Sequence, residues 1–334
     1  MTATRATGPG CERPQSNCIP GSVRQGGGVN VSDLEPPSEG SALLVPSSPA
    51  PLVARAFRTL LSGHPDGTPP WVARITTGDP DCLVAPDGPS WVVHGSLTTL
   101  VGGVRALMMQ ALQPAAVTGV AEHSAYRTDT IGRLRRTTQW LVITTFADVA
   151  TAESMAAAVR SMHERVTGTD PSGRPYSATD PDLLRWVHDA FTDSFLTAHL
   201  ALGGREIPGG PDAYVSEWAA SAELLGAVDL PQTQDELHHQ LDGYRRQPGF
   251  GRAPATEDVA AFLRAPNLPL AYRGPYRVLA LAAAATLDPG DAALLGLPQR
   301  PGSIKAARGM LHLLTWALSS TSPAERAARV RLGI

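Results

Sequence analysis

The stretch Gly132–Phe146, GRLRRTTQWLVITTF, places Arg133, Arg135 and Arg136 directly before a nearly uninterrupted apolar run. A helix this apolar needs enclosure by other elements. Arg133 and Thr137 are four residues apart and share a face, as do Arg136 and Trp140. A guanidinium against a buried wall calls for an anion, because leaving it unpaired in low dielectric is costly; arginines reaching from a helix start into solvent are the plainer alternative.

On either side of this stretch the same helical period recurs. Leu97–Val120 carries apolar Leu100, Val104, Leu107, Met108, Ala111 and Leu112, with a kink or end at Pro114. Thr151–Val166 shows a stripe of Met155, Val159, Met162 and Val166, which sets His163 partly inward. Asp180-Pro181 is a capping residue followed by proline at the first helical position. It opens a helix through Leu183, Val187, Phe191 and Phe195 to about Leu202, with His188 at the edge of the buried face. The loop between them holds Gly168, Asp170, Pro171, Gly173 and Pro175.

Farther out, Ala54–Ser62 reads as a short amphipathic helix, and the proline-broken Pro65–Ser96 as an extended connection with a brief strand at Trp91–Val93. Helices are expected at 212–226, 233–247, 256–265, 276–287, 289–295 and 303–318. His94 reads as a lone histidine, and His238-His239 as solvated on a polar face. With almost no alternating pattern, the fold is expected to be all-α. Residues 1–51, rich in Gly, Pro and Ser, form an expected disordered leader before a single helical domain over 52–334 whose core motifs lie in 102–195.

Composition narrows the function. The 334 residues are 43% hydrophobic, enough for a substantial core. With 28 basic against 31 acidic residues and a pI near 6.3, the chain lacks the positive field that phosphate backbones require, so no nucleic-acid partner is expected. The longest apolar run, Val278–Leu287, is shorter than the roughly 20 residues of a membrane span. Three cysteines make no disulfide framework, and the first residues show no signal-peptide pattern, so a cytoplasmic location is expected. A nucleophile elbow and a phosphate-binding glycine loop are both missing.

Two cofactor chemistries suit the central stretch. A neutral imidazole from a buried helix, a dry apolar cavity and arginines for acidic substituents are the parts of a haem site, with His163 as axial ligand. The alternative is a non-haem metal, since Glu122-His123, His163-Glu164 and His188-Asp189 each set a carboxylate beside an imidazole. Adjacent helical residues point about a hundred degrees apart, so each pair would lend one ligand.

Four separated motifs, GGVRALMMQALQP (Gly102–Pro114), GVAEHSAYRTDTIGRLRRT (Gly119–Thr137), MHERVTGTDPSGRPYSATDP (Met162–Pro181) and WVHDAFTDSF (Trp186–Phe195), occur in the order that resembles the MpaB and rubber-oxygenase catalytic domain family. The resemblance implies a globin-like helical bundle around a buried haem b pocket. It also implies an oxidoreductase acting with O2 on an apolar, lipid or isoprenoid-type small molecule, with an electron donor as a further partner. By the same resemblance His163 is the proximal iron ligand, Arg133 and Thr137 stand near the reacting face, and Glu122 matches a catalytic base. Arg136 occupies the place of a lysine that caps the iron in latex-clearing members, an exchange that removes such a cap because guanidinium stays protonated. Arg135 and Arg174 are candidates for pairing with propionates, and His188 for a supporting hydrogen bond. Substrate, product and oligomeric state are not legible.

Overall fold

Proline and short polar side chains decide where the helices begin. The computed structural model describes residues 50–64, 68–318 and 321–334, so the leader expected over 1–51 lies outside the described residues except for its last two positions. The chain opens with α1 (Ala50–Ser62), α2 (Trp71–Thr77) and α3 (Pro89–His94). The strand expected at Trp91–Val93 is therefore a helix: Pro89 starts it, and Trp91 and Val93 are buried on packing rather than on β-propensity.

Next come α4 (Thr99–Gln110) and α5 (Pro114–His123), separated where Gln113 caps the new helix by accepting from the Ala116 N–H at 2.7 Å. Asp129 caps α6 (Thr130–Phe146) through the Gly132 N–H at 2.9 Å. A Cβ at Gly132 would fall 2.1 Å from that carboxylate, so only glycine permits this cap. Asp148 caps α7 (Val149–His163) in the same way. The expected loop beyond contains a two-stranded antiparallel hairpin, β1 (Thr167–Thr169) and β2 (Pro175–Ser177), with Gly168 opposite Tyr176. Asp170 closes its turn by accepting from the N–H groups of Ser172 and Arg174.

Asp180 caps α8 (Pro181–Ala201), which leads to α9 (Gly210–Glu223), α10 (Gln234–Arg245), α11 (Pro254–Arg264), α12 (Leu270–Ala285), α13 (Pro289–Leu294), α14 (Gly302–Leu318) and α15 (Pro323–Leu332). The sequence reading stopped at α14. Ser322 nonetheless opens α15 by accepting from the Glu325 N–H at 3.1 Å. Among the described residues the protein is thus predominantly helical, and no helix is long and apolar enough to cross a membrane.

The most extensive helix pairing joins α4 to α8. Gly102 makes it possible: a Cβ there would lie 2.7 Å from the Phe195 ring and 3.1 Å from the Ser194 carbonyl. One turn on, buried Arg105 donates from Nη1 to Asp193 Oδ2 at 2.6 Å and to Ser194 Oγ at 2.9 Å, and from Nε to the Thr286 carbonyl at 3.3 Å. Burial alone would raise the Asp193 pKa, but the Arg105 charge, with help from His238, holds it well below the usual carboxylate range. His238, expected to be solvated, is only half exposed and sits 3.5 Å from Asp193 Oδ1, which raises its own pKa.

Asp189, one turn before Asp193, is fully buried, and neither of its oxygens has a hydrogen-bond partner among the described residues. Desolvation pushes its pKa up to about 8, opposed by Arg185 and reinforced by Asp182 and Asp193. It is therefore a neutral acid in the folded protein at moderate pH.

Two predictions follow from these α8 groups. Arg105→Met should cost about 3–5 kcal/mol in urea unfolding by stranding Asp193, and adding Asp193→Leu should recover much of that; a loss below about 1 kcal/mol for Arg105→Met would remove the pair from this structural role. For Asp189 the folded pKa is raised, so stability present at low pH is lost as pH climbs from the unfolded value near 4 through about 8. Asp189→Asn abolishes that loss. Its gain in stability should grow across this window to the order of a few kcal/mol; a gain independent of pH would show that ionisation plays no part.

Candidate functional site

Arg133 lies in the first turn of α6, half-buried, and its Nη1 donates to the Ser124 hydroxyl at 2.7 Å. Desolvation, then the like charge of Arg136, holds its pKa below the ordinary arginine value, while Tyr126 acts weakly the other way. A guanidinium so placed, bonded to a neutral hydroxyl and to no carboxylate among the described residues, is suited to receive an anion or a polar ligand. Thr137, one turn on, is half-buried and donates to the Arg133 carbonyl at 3.2 Å.

Enclosure of α6 is partial. Ile143–Phe146 are buried, whereas Thr137–Val142 are only half-buried, with Leu141 and Val142 packed against the core. On α7 the expected stripe is likewise displaced. Ala152 and Ala156 are the buried residues, Met155, Val159 and Val166 are half-buried, and Met162 is 45% exposed. The small alanines take the contact face and leave the larger side chains flanking it.

His163 closes α7. Its imidazole is half-buried and makes no hydrogen bond among the described residues, and desolvation lowers its pKa, which keeps the ring neutral and its nitrogen lone pair available. The helices that carry Arg133 and His163 pack against one another.

The remaining candidates are engaged separately. Glu122, about half exposed, accepts from the Tyr176 hydroxyl at 2.9 Å. Burial, followed by this bond, pushes the Tyr176 pKa up to about 12. Together with His123, whose Nε2 lies 3.1 Å from the Thr167 carbonyl, Glu122 ties the β1–β2 hairpin to α5. Arg135 donates to the Leu60 and Thr59 carbonyls at the end of α1. Arg136 pairs with Asp129 at 3.2 Å and Arg174 with Asp170 at 3.1 Å, both arginines being largely exposed. His188 is buried in the core with its Nε2 3.3 Å from Thr192 Oγ1, and burial lowers its pKa to about 4.

Sequence reasoning left two features unread. One is a buried histidine clamp. Thr145 Oγ1 donates to the Leu141 carbonyl at 2.6 Å, so it accepts the Nδ1 proton of His94 at 2.8 Å, and His94 Nε2 accepts from Tyr214 at 2.9 Å. Burial, then the neighbouring His199, takes the His94 pKa to about 3. The other is a cavity of about 290 Å3 beside Arg133, lined by Ser124, Tyr126, Arg127 and Thr128 of the α5–α6 turn and by Asp258 of α11. No local signal ties that turn to a residue so far along the chain. The three imidazole–carboxylate pairs do not converge: among the described residues no group of three or more metal-ligating side chains stands close enough to hold an ion.

Comparison with known proteins gives one family. Residues 91–318 match the model described as the ER-bound oxygenase mpaB/B'/rubber oxygenase catalytic domain, which spans about two thirds of the chain. The curated proteins and the solved structures contain no significant match.

Proposed function

The chain belongs to the mpaB/rubber oxygenase catalytic-domain family, and from that premise we propose that it is a haem b-dependent oxygenase, globin-like in arrangement, that oxidises a small lipid or isoprenoid-type molecule with O2. The observation that carries this reading is the state of His163, a neutral, half-buried imidazole with both ring nitrogens unbonded among the described residues. That is the form in which histidine serves as an axial ligand.

The surrounding residues fit the group. The half-buried apolar side chains of α6 and α7 offer contact for a macrocycle, and cations stand at the start of α6 and in the last turn of α7. His163 would hold the iron. Arg136, whose ion pair with Asp129 is exposed on both sides, is the cation most easily exchanged onto a propionate, whereas Arg174 is held by the buried Asp170 carboxylate and Arg135 is committed to the α1 carbonyls. When bound, the haem supplies the redox chemistry that activates O2.

The protein's own groups do the rest. Arg133 presents N–H donors on one face of α6, Thr137 adds an O–H donor there once its proton leaves the Arg133 carbonyl, and the half-buried Trp140 and Leu141 farther along that face receive the apolar substrate. Glu122 accepts a proton from the substrate once the Tyr176 hydroxyl turns away from it. His188, neutral and bonded to Thr192, supports the core behind these elements. An external reductant is the expected partner.

The test is a visible spectrum of the purified protein with a pyridine haemochrome assay, followed by O2 uptake on lipid and isoprenoid panels. The expected result is about one haem b per chain, lost in His163→Ala with helicity retained, because His163 ends its helix and carries no internal bond. Arg133→Ala and Thr137→Ala should retain haem and lose turnover by roughly 10²-fold. Full haem with an unchanged spectrum in His163→Ala would reassign the ligand, and no Soret band after haem supplementation would refute the oxygenase.

A further inference from the structure

The cavity of about 290 Å3 between the α5–α6 turn and α11 is near the small end of ligand sites, which run from roughly 300 to 1,000 Å3. It is the size of a head group rather than of a whole apolar substrate. Beside Ala121, Ala125 and the Tyr126 ring, its lining carries the hydroxyls of Ser124 and Thr128, the Arg127 guanidinium and the Asp258 carboxylate. Arg133 reaches the same space through Ser124 Oγ, whose own proton makes no hydrogen bond among the described residues.

Arg127 is oriented in advance. Its Nε donates to the Tyr126 hydroxyl at 2.8 Å, its guanidinium carbon stands 5.4 Å from the centre of the same ring, and Tyr126, 5% exposed, is fixed edge-on to Phe262 at 5.0 Å. That arrangement leaves the outer edge of the fork facing Asp258, at 3.1 Å in an ion pair whose side chains are 58% and 67% exposed. An ion pair so open to water is held weakly and exchanges readily for another carboxylate.

The charges decide the ligand class. Arg127 is paired with Asp258 and Arg136 with Asp129, and Glu122 accepts from Tyr176, whereas Arg133 bonds no carboxylate among the described residues. One guanidinium is left unpaired and partly desolvated, which matches a single carboxylate.

We propose that this cavity seats the carboxylate of an apolar carboxylic acid, with Arg127 exchanging Asp258 for the ligand, Ser124 donating its hydroxyl proton, and Arg133 supplying the uncompensated charge. The assignment deepens the oxygenase reading, and rests on it for the acid being a substrate. Anchored at the head of α6, the acid's chain extends along the half-buried Arg133 face of that helix, past Thr137 to Trp140 and Leu141. Arg127 and Ser124 are positioning residues that set which part of the chain is presented for oxidation.

The experiment is calorimetric binding of dodecanoic acid and dodecan-1-ol to the full-length protein at low salt, for wild type, Arg127→Gln and Asp258→Asn. Wild type should bind the acid about tenfold or more tightly than the alcohol, as charge-assisted bonds to one end imply. Arg127→Gln should erase that preference. Asp258→Asn should tighten the acid several-fold and leave the alcohol unchanged, because it removes the competing carboxylate. Equal affinity for acid and alcohol, no saturable binding of the acid, or an acid preference that survives Arg127→Gln would each overturn the assignment. The measurement needs neither haem nor O2, so it can fail while haem binding and O2 uptake succeed, and the reverse outcome would leave a carboxylate site in a protein that is not an oxygenase.

Discussion

The structure depends on a guanidinium that has nowhere to go but onto protein. Arg105 is 4% exposed in the α4–α8 interface, so its charge must be met inside the fold. Asp193, Ser194 and the Thr286 carbonyl at the end of α12 meet it. Because α4 and α8 touch closely at Gly102, a shift of either helix by one turn would break these bonds together. The second Asp193 oxygen faces Thr197 at 3.3 Å and His238 of α10 at 3.5 Å. The ion pair therefore sets the register of α4, α8, α10 and α12 more than it adds net stability, which buried pairs seldom do.

Helix α6 carries that rigidity to the candidate site. Its last turn is buried, and Thr145 holds the chain of bonds through His94 to Tyr214 on α9. Each proton along the chain has one acceptor, and a charged His94 would leave two donors facing each other on the Tyr214 side, which is why burial and neutrality coincide here. With its far end locked, α6 can leave its first half open. Arg133 and Thr137 thus sit on a stiff element that is only half-buried around them.

What was legible in the chain was whatever is written in neighbouring residues. Asp180-Pro181 and the break at Pro114 locate α8 and α5 because a cap and the helix it starts are a few residues apart. Trp91–Val93 was misread because β-branched residues favour strands only until packing decides otherwise, and Val93 is fully buried in a helix. The α7 stripe was read on its bulky residues, whereas the close contact is made by Ala152 and Ala156. The family motifs placed Arg133, Thr137 and His163, yet no local pattern tells that Arg135 is held by α1 while Arg133 is not. Long-range pairing makes that difference, as it makes the cavity between Arg127 and Asp258.

Arg105 and Arg133 differ in how their charge is met. Both are withdrawn from water, Arg105 fully within α4 and Arg133 in part at the start of α6. Arg105 meets a carboxylate, a hydroxyl and a carbonyl, and its charge is spent within the fold. Arg133 meets one neutral hydroxyl, and desolvation, then the like charge of Arg136, depresses its pKa. A fold that needed only packing at that position could use leucine at no electrostatic cost. The unmatched charge is stable only because part of the guanidinium still reaches solvent or a ligand, and this requirement keeps the head of α6 open.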